Sequence, residues 1–264
     1  MRTGRWMARA VAAACVLTWT AAAQAQVLIY MKAGGEPKRG TAVRFRASPP
    51  EYILDTEKAQ QTFPAKDVDR VEMPKPAAID QAEKFLAEGR TEQAKVLLTQ
   101  AASDYVNLGW DMRAQELLAQ VYAKIGDHAQ VVSLCKSLID KAQGGQVSPQ
   151  LRFIYWNSML ALQRFAPLEA DLKETLAKGS RSEAAFAQLT RANLRSLQSK
   201  SQDALLDYLR AVILYEDIAE VQPEALYKAA DLMEKMRDGR GLDLRARLKA
   251  RYPGSDWVTK LNAR

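Results

Sequence analysis

The sequence predicts a mainly α-helical protein, in which a small β-barrel or meander precedes an α-solenoid of about five helical hairpins. Two observations support this fold class. Short extended segments bounded by turn residues fill positions 26–75, whereas long stretches of helical periodicity fill positions 76–264. The helical stretches also recur at an interval of about 37 residues, which is typical of stacked repeats.

Residues 1–25 have the pattern of a secretory signal peptide. Arginines stand at positions 2, 5 and 9, an apolar run extends from Ala10 to Ala23, and Ala23 and Ala25 form a small-residue cleavage site. A retained membrane anchor needs about 20 apolar residues, and this run is shorter. We therefore expect cleavage after Ala25 and export to the periplasm or cell envelope.

The charge balance narrows the classes of partner. Removal of residues 1–25 lowers the formal charge from +7 to +4, and nucleic acid is not expected for an exported, mildly basic chain. The segment 237–264 is locally basic, with eight Lys or Arg against three Asp. A solvated helix face is the ordinary explanation of such a segment, and contact with anionic lipid or polymer is the alternative.

One cysteine remains after the predicted cleavage. Cys15 lies within the signal segment, so Cys135 has no partner for an internal disulfide. Cys135 lies in "VVSLCKSLI", on an apolar helical face, where we expect it to pack as a small hydrophobe. Pairing between two chains is the alternative.

The segment 26–75 contains the pattern of four or five short strands. In "TAVRFRA", Val43 and Phe45 fall on one side and Arg44 and Arg46 on the other, as in a half-buried strand. This pattern is similar to small SH3-like modules. The expected domains are therefore a signal peptide at 1–25, an SH3-like β-module at 26–75 and a helical repeat domain at 76–264.

The helical repeat is organised around turns. Gly89 and Gly126 interrupt helical periodicity 37 residues apart, and alanines or small apolar residues stand at equal distances around each. Glycine accepts the left-handed conformation that ends a helix and reverses the chain, and small residues let two helices pack closely. The pattern returns around Ser199, with an intermediate unit that starts at Ser148 and turns at Phe165, and a fifth unit from Pro223 to Pro253.

These positions resemble the tetratricopeptide repeat (TPR) family, whose unit has about 34 residues and an aromatic residue before the turn. Phe85 with Ala94 and Leu98, and Tyr122 with Gly126, carry the resemblance, which covers about residues 77–264. The ending "LKARYPGSDWVTKL" is similar to the repeat junctions of exported, cell-envelope members of that family.

The resemblance implies a groove lined by the first helix of each hairpin. Carried onto this sequence, it places Arg113, Glu116 and Gln120 of the second unit, and Leu189 and Asn193 of the fourth, in that groove. It implies a non-enzymatic scaffold or adaptor that binds a protein or peptide. The alternative is a structural envelope protein that binds peptidoglycan or anionic lipid, through the β-module or the basic C-terminal face.

The sequence predicts neither a catalytic site nor a metal or cofactor site. His128 is the one histidine, and we expect it to be a solvated turn residue. The segment "GEPKRGT", residues 35–41, lacks the lysine of a phosphate-binding loop and joins two strands, so it is predicted to be a hairpin turn. Asp67 and Asp69 form a surface carboxylate pair, and nothing in the sequence indicates the burial or crowding of like charges that acid–base catalysis would need.

Aromatic residues cluster in the third helical unit. Phe153, Tyr155 and Trp156 fall on one predicted helix. We expect them to pack in the core between hairpins, with a ligand anchor as the alternative. Later in the chain, the same role in packing is expected of Tyr208, Tyr215 and Tyr227.

Overall fold

The computed structural model describes residues 26–142 and 147–263. The predicted signal peptide lies outside these residues. The chain divides between Pro74 and Lys75 into two compact units, and each unit is described below by itself. Among the described residues, no helix combines the length and the apolar character needed to cross a membrane.

The first unit contains two antiparallel sheets of three strands each. The described residues thus contain six strands, where the sequence predicts four or five. The strands are β1 (Val27–Met31), β2 (Lys38–Gly40), β3 (Ala42–Ala47), β4 (Pro50–Asp55), β5 (Gln60–Pro64) and β6 (Val68–Glu72). The strand orders of the two sheets are β2-β1-β6 and β3-β4-β5, so each sheet has one central strand.

The core of the first unit is small. Its fully or nearly fully buried residues are Val27, Ile29, Leu54 and Val68. In β3, Val43 and Phe45 are half-buried while Arg44 and Arg46 are exposed, so the predicted alternation is confirmed.

The loop between β1 and β2 is shorter than the predicted turn. The segment 38–40 forms β2 and pairs with residues 27–29 of β1, so the turn ends at Pro37. Gly40 lies so close to β4 that an added Cβ would stand 2.5 Å from the carbonyl oxygen of Asp55. The close approach of two strands therefore requires glycine at this position.

The second unit consists of helical hairpins, and the predicted fold class is confirmed. The helices are α1 (Ala77–Ala87), α2 (Thr91–Asp104), α3 (Asp111–Lys124), α4 (His128–Lys141), α5 (Pro149–Ala161), α6 (Phe165–Lys178), α7 (Arg181–Leu197), α8 (Ser201–Leu214), α9 (Gln222–Lys235), α10 (Gly241–Arg251) and α11 (Asp256–Asn262). Each first helix packs on its own second helix, and the first helices α1, α3, α5 and α7 also pack successively on one another.

A residue with positive φ reverses the chain inside each of the five hairpins. These residues follow one another at intervals of 36 to 38 and are Gly89, Gly126, Gln163, Ser199 and Arg237. The predicted glycine turns are confirmed. The third turn lies at Gln163 and not at Phe165, which begins α6. The geometry of the hairpin requires a residue in the left-handed conformation at this position. A residue other than glycine can adopt that conformation at a cost of about 1 kcal/mol.

Equivalent core positions of the hairpins hold residues of different size. Ala82 and Ala94 are fully buried where α1 meets α2. In the third hairpin the equivalent of Ala82 is Trp156, which is also fully buried and donates from Nε1 to Oδ2 of Asp171 over 2.6 Å. The rings of Phe153 and Phe186 lie 5.0 Å apart. The predicted core role of these aromatic residues is thus confirmed.

A short helix, α11, follows the fifth hairpin. The Ser255 hydroxyl caps it by accepting from the backbone N–H of Val258. Trp257 packs its ring 5.0 Å from that of Tyr227, which joins α11 to α9. Helix α11 therefore covers part of α9, the first helix of the fifth hairpin.

Candidate functional site

A shallow groove lies between the first helices of the second and third hairpins, α3 and α5. Residues 113, 116 and 120 stand at helical spacing on one face of α3, so their side chains line it together. The cavity has a volume of about 140 Å³, and its lining residues are Arg113, Glu116, Gln120, Ser148, Gln150, Leu151 and Ile154. Three of the five groove residues predicted from the sequence therefore lie in one site.

Two charged residues line this groove, the carboxylate Glu116 and the cation Arg113. Its guanidinium donates to Oε1 of Glu83 over 2.8 Å and lies 3.6 Å from Oε2 of Glu116. Glu83 also pairs with Lys75. Burial opposes ionisation of Glu83, but hydrogen bonds from Lys75 and Arg113 outweigh it and hold the pKa of that carboxyl below its ordinary value. These ion pairs fix the orientation of Arg113 at neutral pH.

The remaining lining groups combine amides with apolar surface. Gln120 is half-buried and Gln150 is exposed, while Leu151 is buried and Ile154 half-buried beneath them. Amides both donate and accept hydrogen bonds, as an extended peptide backbone does. The groove is smaller than the roughly 300 Å³ of enclosed ligand pockets, so it suits one side chain or a short backbone stretch and not a whole small molecule.

Leu189 and Asn193 do not belong to this groove. Leu189 is only 1% exposed and packs in the core, so a ligand cannot reach it in this conformation. Asn193 is half-buried, accepts from the Tyr208 hydroxyl over 2.5 Å and donates to Glu224 over 2.9 Å. In the fourth hairpin, Leu189 belongs to one buried hydrophobic cluster with residues of α5, α6 and α8, so packing covers the position that the family resemblance assigned to a ligand.

Glu224 is the partner of Asn193 in α9. Burial raises the pKa of this carboxyl, and the hydrogen bond from Asn193 and the charges of Lys228 and Lys260 oppose the rise. The arrangement ties α7 to α9 through one amide. It is a structural bridge between two hairpins.

His128 differs from its predicted environment. It begins α4, is half-buried, and places Nδ1 3.2 Å from Oγ of Ser158 in α5. Ser158 is 1% exposed, so this contact joins two hairpins and offers no accessible nucleophile. Within the described ranges, no three His, Cys, Asp or Glu side chains lie close enough to hold a metal ion.

Cys135 and the paired carboxylates lie where the sequence predicts. Cys135 is fully buried among apolar residues, and burial raises the pKa of its thiol to about 12. It therefore packs as a small hydrophobe, as expected. Asp67 and Asp69 are both exposed, and Asp69 lies 3.4 Å from Arg70.

The first unit contains a larger open cavity, of about 650 Å³. It lies beside the end of β2 and the turn between β4 and β5. Its lining includes the cations Arg39 and Lys58, and the full set is Gln26, Arg39, Gly40, Thr41, Thr56, Glu57, Lys58, Ala59 and Gln61. The sequence pattern gave no indication of this cavity, because its residues are distant in sequence and individually ordinary.

The basic C-terminal segment is largely ion-paired. Arg240 binds Asp238, and Arg245 binds Glu234. Arg247 and Arg251 share the carboxylate of Glu216. The segment therefore presents less unbalanced positive charge than its sequence suggests.

Sequence reasoning missed a buried carboxylate in the fourth hairpin. The Asp207 side chain has no exposed surface and lies 2.8 to 2.9 Å from guanidinium nitrogens of Arg191, Arg195 and Arg210. Burial opposes its ionisation, but the hydrogen bonds and charge of Arg191 lead the effects that lower the pKa of Asp207. The cluster becomes visible only when α7 and α8 are paired, since neither helix alone shows it.

No protein-family model and no curated protein matches the sequence. Among solved structures, the chain is similar to TTC0263, described as a thermophilic TPR protein in Thermus thermophilus. The alignment has 19% identity and a TM-score of 0.52, and it covers 70% of this chain and 96% of that one. The helical unit has a TPR-like fold.

Two further solved structures are more weakly similar to the chain. One is YrrB, described as a TPR protein with an unusual peptide-binding site, at 11% identity and a TM-score of 0.40, covering 71% of this chain and 91% of that one. The other is PilW, described as a widely conserved type IV pilus biogenesis factor, at 13% identity and a TM-score of 0.41, covering 70% of this chain and 96% of that one.

Proposed function

We propose that this protein is a non-enzymatic, exported scaffold whose TPR-like unit holds an extended segment of a partner protein in the groove between α3 and α5. The observation that carries the proposal is the convergence of Arg113, Gln120 and Gln150 on that groove, above the apolar floor of Leu151 and Ile154. The ion-paired Arg113 presents its remaining N–H groups to a partner carbonyl or carboxylate.

The amides supply the second kind of contact. Gln120 and Gln150 stand on two neighbouring helices, so one extended segment between them can donate to one side chain and accept from the other. The half-buried Ile154 adds apolar contact area. Because the groove is short, we expect recognition of a few residues of the partner and a modest affinity.

Affinity capture from a detergent-solubilised cell envelope identifies a partner. The captured protein is then purified, and its affinity for each variant is measured by calorimetric titration. The test variant is Gln120→Ala with Gln150→Ala. The matched control is Gln130→Ala with Gln202→Ala, which removes two exposed glutamines from the second helices α4 and α8. We expect the test variant to weaken the measured affinity roughly 10-fold, since each lost hydrogen bond is worth about 0.5–1.5 kcal/mol.

The control variant should bind like the unmodified protein. Equal affinities for the test and control variants, with both folded by circular dichroism, would reject the groove as the binding surface. Export is tested separately, by fractionating cells that produce the full chain. An envelope form whose N-terminal sequence starts at Gln26 supports it, and an intact N-terminus in the cytoplasm contradicts it.

The β-module supports a second candidate function, the binding of peptidoglycan. We base this candidate on the open cavity of about 650 Å³, where the cations Arg39 and Lys58 outnumber the one carboxylate, Glu57. Together with the threonine and glutamine side chains of the lining, this balance of charge suits a polar, anionic polymer. As part of this candidate, we also propose that the β-module is an SH3-like module. The protein should then co-sediment with purified sacculi, and added salt should weaken this co-sedimentation. The double variant Arg39→Gln with Lys58→Gln should no longer co-sediment. Sedimentation unchanged in that variant would exclude the cavity.

A further inference from the structure

Helix α8 exposes an unusual amount of apolar surface. Leu206, Ile213 and Leu214 are 51%, 66% and 54% exposed, and no other described helix carries three large apolar residues this accessible. Their spacing of seven and eight residues places them on one side of the helix. The other side of α8 is the ordinary buried face, with Ala204 and Tyr208 in the core.

The same side of α8 is basic. Arg210 lies between the apolar residues and is half-exposed, and its guanidinium is fixed by Asp207 beneath it. Arg191 and Arg195 of α7 bind the same carboxylate, so three guanidinium groups share one buried negative charge.

The remaining charges leave this face positive. Asp217 is held by Arg181 through two short hydrogen bonds, and Asp203 and Lys200 stand at the start of the helix. The face thus has five cationic side chains against three carboxylates: Arg181, Arg191, Arg195, Lys200 and Arg210 against Asp203, Asp207 and Asp217.

We propose that this face of α8 docks on a bilayer that contains anionic phospholipid. Leu206, Ile213 and Leu214 enter the headgroup region, where apolar side chains of interfacial helices are buried. Arg210 and its neighbours bind lipid phosphates, and their alkyl stems lie along the apolar surface. We define the lipid face as these three apolar residues together with Arg191, Arg195 and Arg210.

A bilayer suits this surface better than a peptide does. A bound peptide is usually held in a concave site. Neither of the two cavities described above is lined by a residue of the lipid face, so neither cavity could hold a peptide there. Along the helix, Arg210 lies between Leu206 and the consecutive residues Ile213 and Leu214. Apolar and cationic side chains are therefore interspersed on this face, as the headgroup region of a bilayer requires. The face also lies on a second helix, whereas the proposed peptide groove lies between first helices, so the two functions are independent.

Co-sedimentation of the full chain with large vesicles tests the proposal. One set contains phosphatidylcholine with a minority of phosphatidylglycerol, and the other contains phosphatidylcholine alone. We expect roughly 30-fold stronger binding to the anionic vesicles, because the two unbalanced basic residues near such a surface contribute about 1 kcal/mol each. Replacing Leu206, Ile213 and Leu214 by Ser should weaken binding at least roughly 10-fold, since three partly exposed side chains lose their contact with the bilayer.

Val96→Ser with Leu242→Ser is the matched control, since both residues are exposed on other second helices. Binding retained by the control and lost by the triple variant, with both folded, supports the lipid face. Three results overturn it: no binding to anionic vesicles, binding that the triple variant retains, or equal binding to both lipid compositions. The other possible occupant of this face is a second copy of this chain, and sedimentation velocity tests for it. Self-association that the triple variant abolishes would assign the face to that second copy.

Discussion

The hydroxyl of Tyr208 donates to Oδ1 of Asn193 over 2.5 Å, in the interior of the fourth hairpin. The same asparagine donates to Glu224, so one amide links α8, α7 and α9. Tyr208 is 1% exposed, and water cannot readily replace its hydroxyl as a donor. The bond therefore stabilises both the hairpin and its junction with the fifth.

Tyr208→Phe should lower the free energy of unfolding by about 1–2 kcal/mol, because it leaves a poorly solvated amide oxygen without its donor. Urea denaturation followed by circular dichroism measures the change. Tyr215→Phe is the control, since Tyr215 lies at the end of α8 and is only partly buried. Equal losses in the two variants would show that the Asn193 bond contributes nothing specific.

Asp207→Asn should be strongly destabilising, by about 3–5 kcal/mol, since it removes the buried carboxylate that three guanidinium groups share. The pH dependence follows from the lowered pKa of Asp207. Its stabilisation is complete above the ordinary pKa of 3.8 and is lost as pH falls through the lower folded value. Unfolding measured across acid pH should show this loss in the unmodified protein and not in the variant.

Glu224 should behave in the opposite way. Because burial raises the pKa of this carboxyl, its neutral form is favoured in the folded state, and stability decreases as pH rises through the folded pKa. Glu224→Gln keeps an oxygen that accepts from Asn193 and removes the charge. We expect a gain in the free energy of unfolding at pH 7 and a flatter pH profile above 4.5, the ordinary pKa. A marked loss of stability would contradict this assignment.

The helical repeat was predictable because its requirement is local. Gly89 and Gly126 indicate their turns in the sequence, because glycine is the residue type that most readily adopts the positive φ found there. Gln163 and Arg237 adopt the same conformation but are not glycines, so the sequence misplaced the third turn at Phe165 and indicated no turn residue for the fifth hairpin. Packing of the helices, and not the residue type, holds them there.

The candidate site was predictable only in part, for a related reason. The resemblance to tetratricopeptide repeats implied a groove that contains Arg113, Glu116 and Gln120, and in the structure these three residues line one groove. Spacing cannot say how deeply a face is covered, so it could not distinguish the buried Leu189 from a groove residue. Contacts between helices, such as the arginines around Asp207, become visible only in three dimensions.

A pair of glycines separates backbone conformation from packing. Gly89 has φ of +74°, and an added Cβ would have no neighbour within 4 Å. Gly239 has equally open surroundings but no positive φ. Gly89→Ala should therefore lower the free energy of unfolding by about 1 kcal/mol through the left-handed backbone alone, whereas Gly239→Ala should leave it nearly unchanged or slightly raised. Urea unfolding of both variants measures the difference, and equal stabilities would show that the first hairpin reverses without a conformational requirement at residue 89.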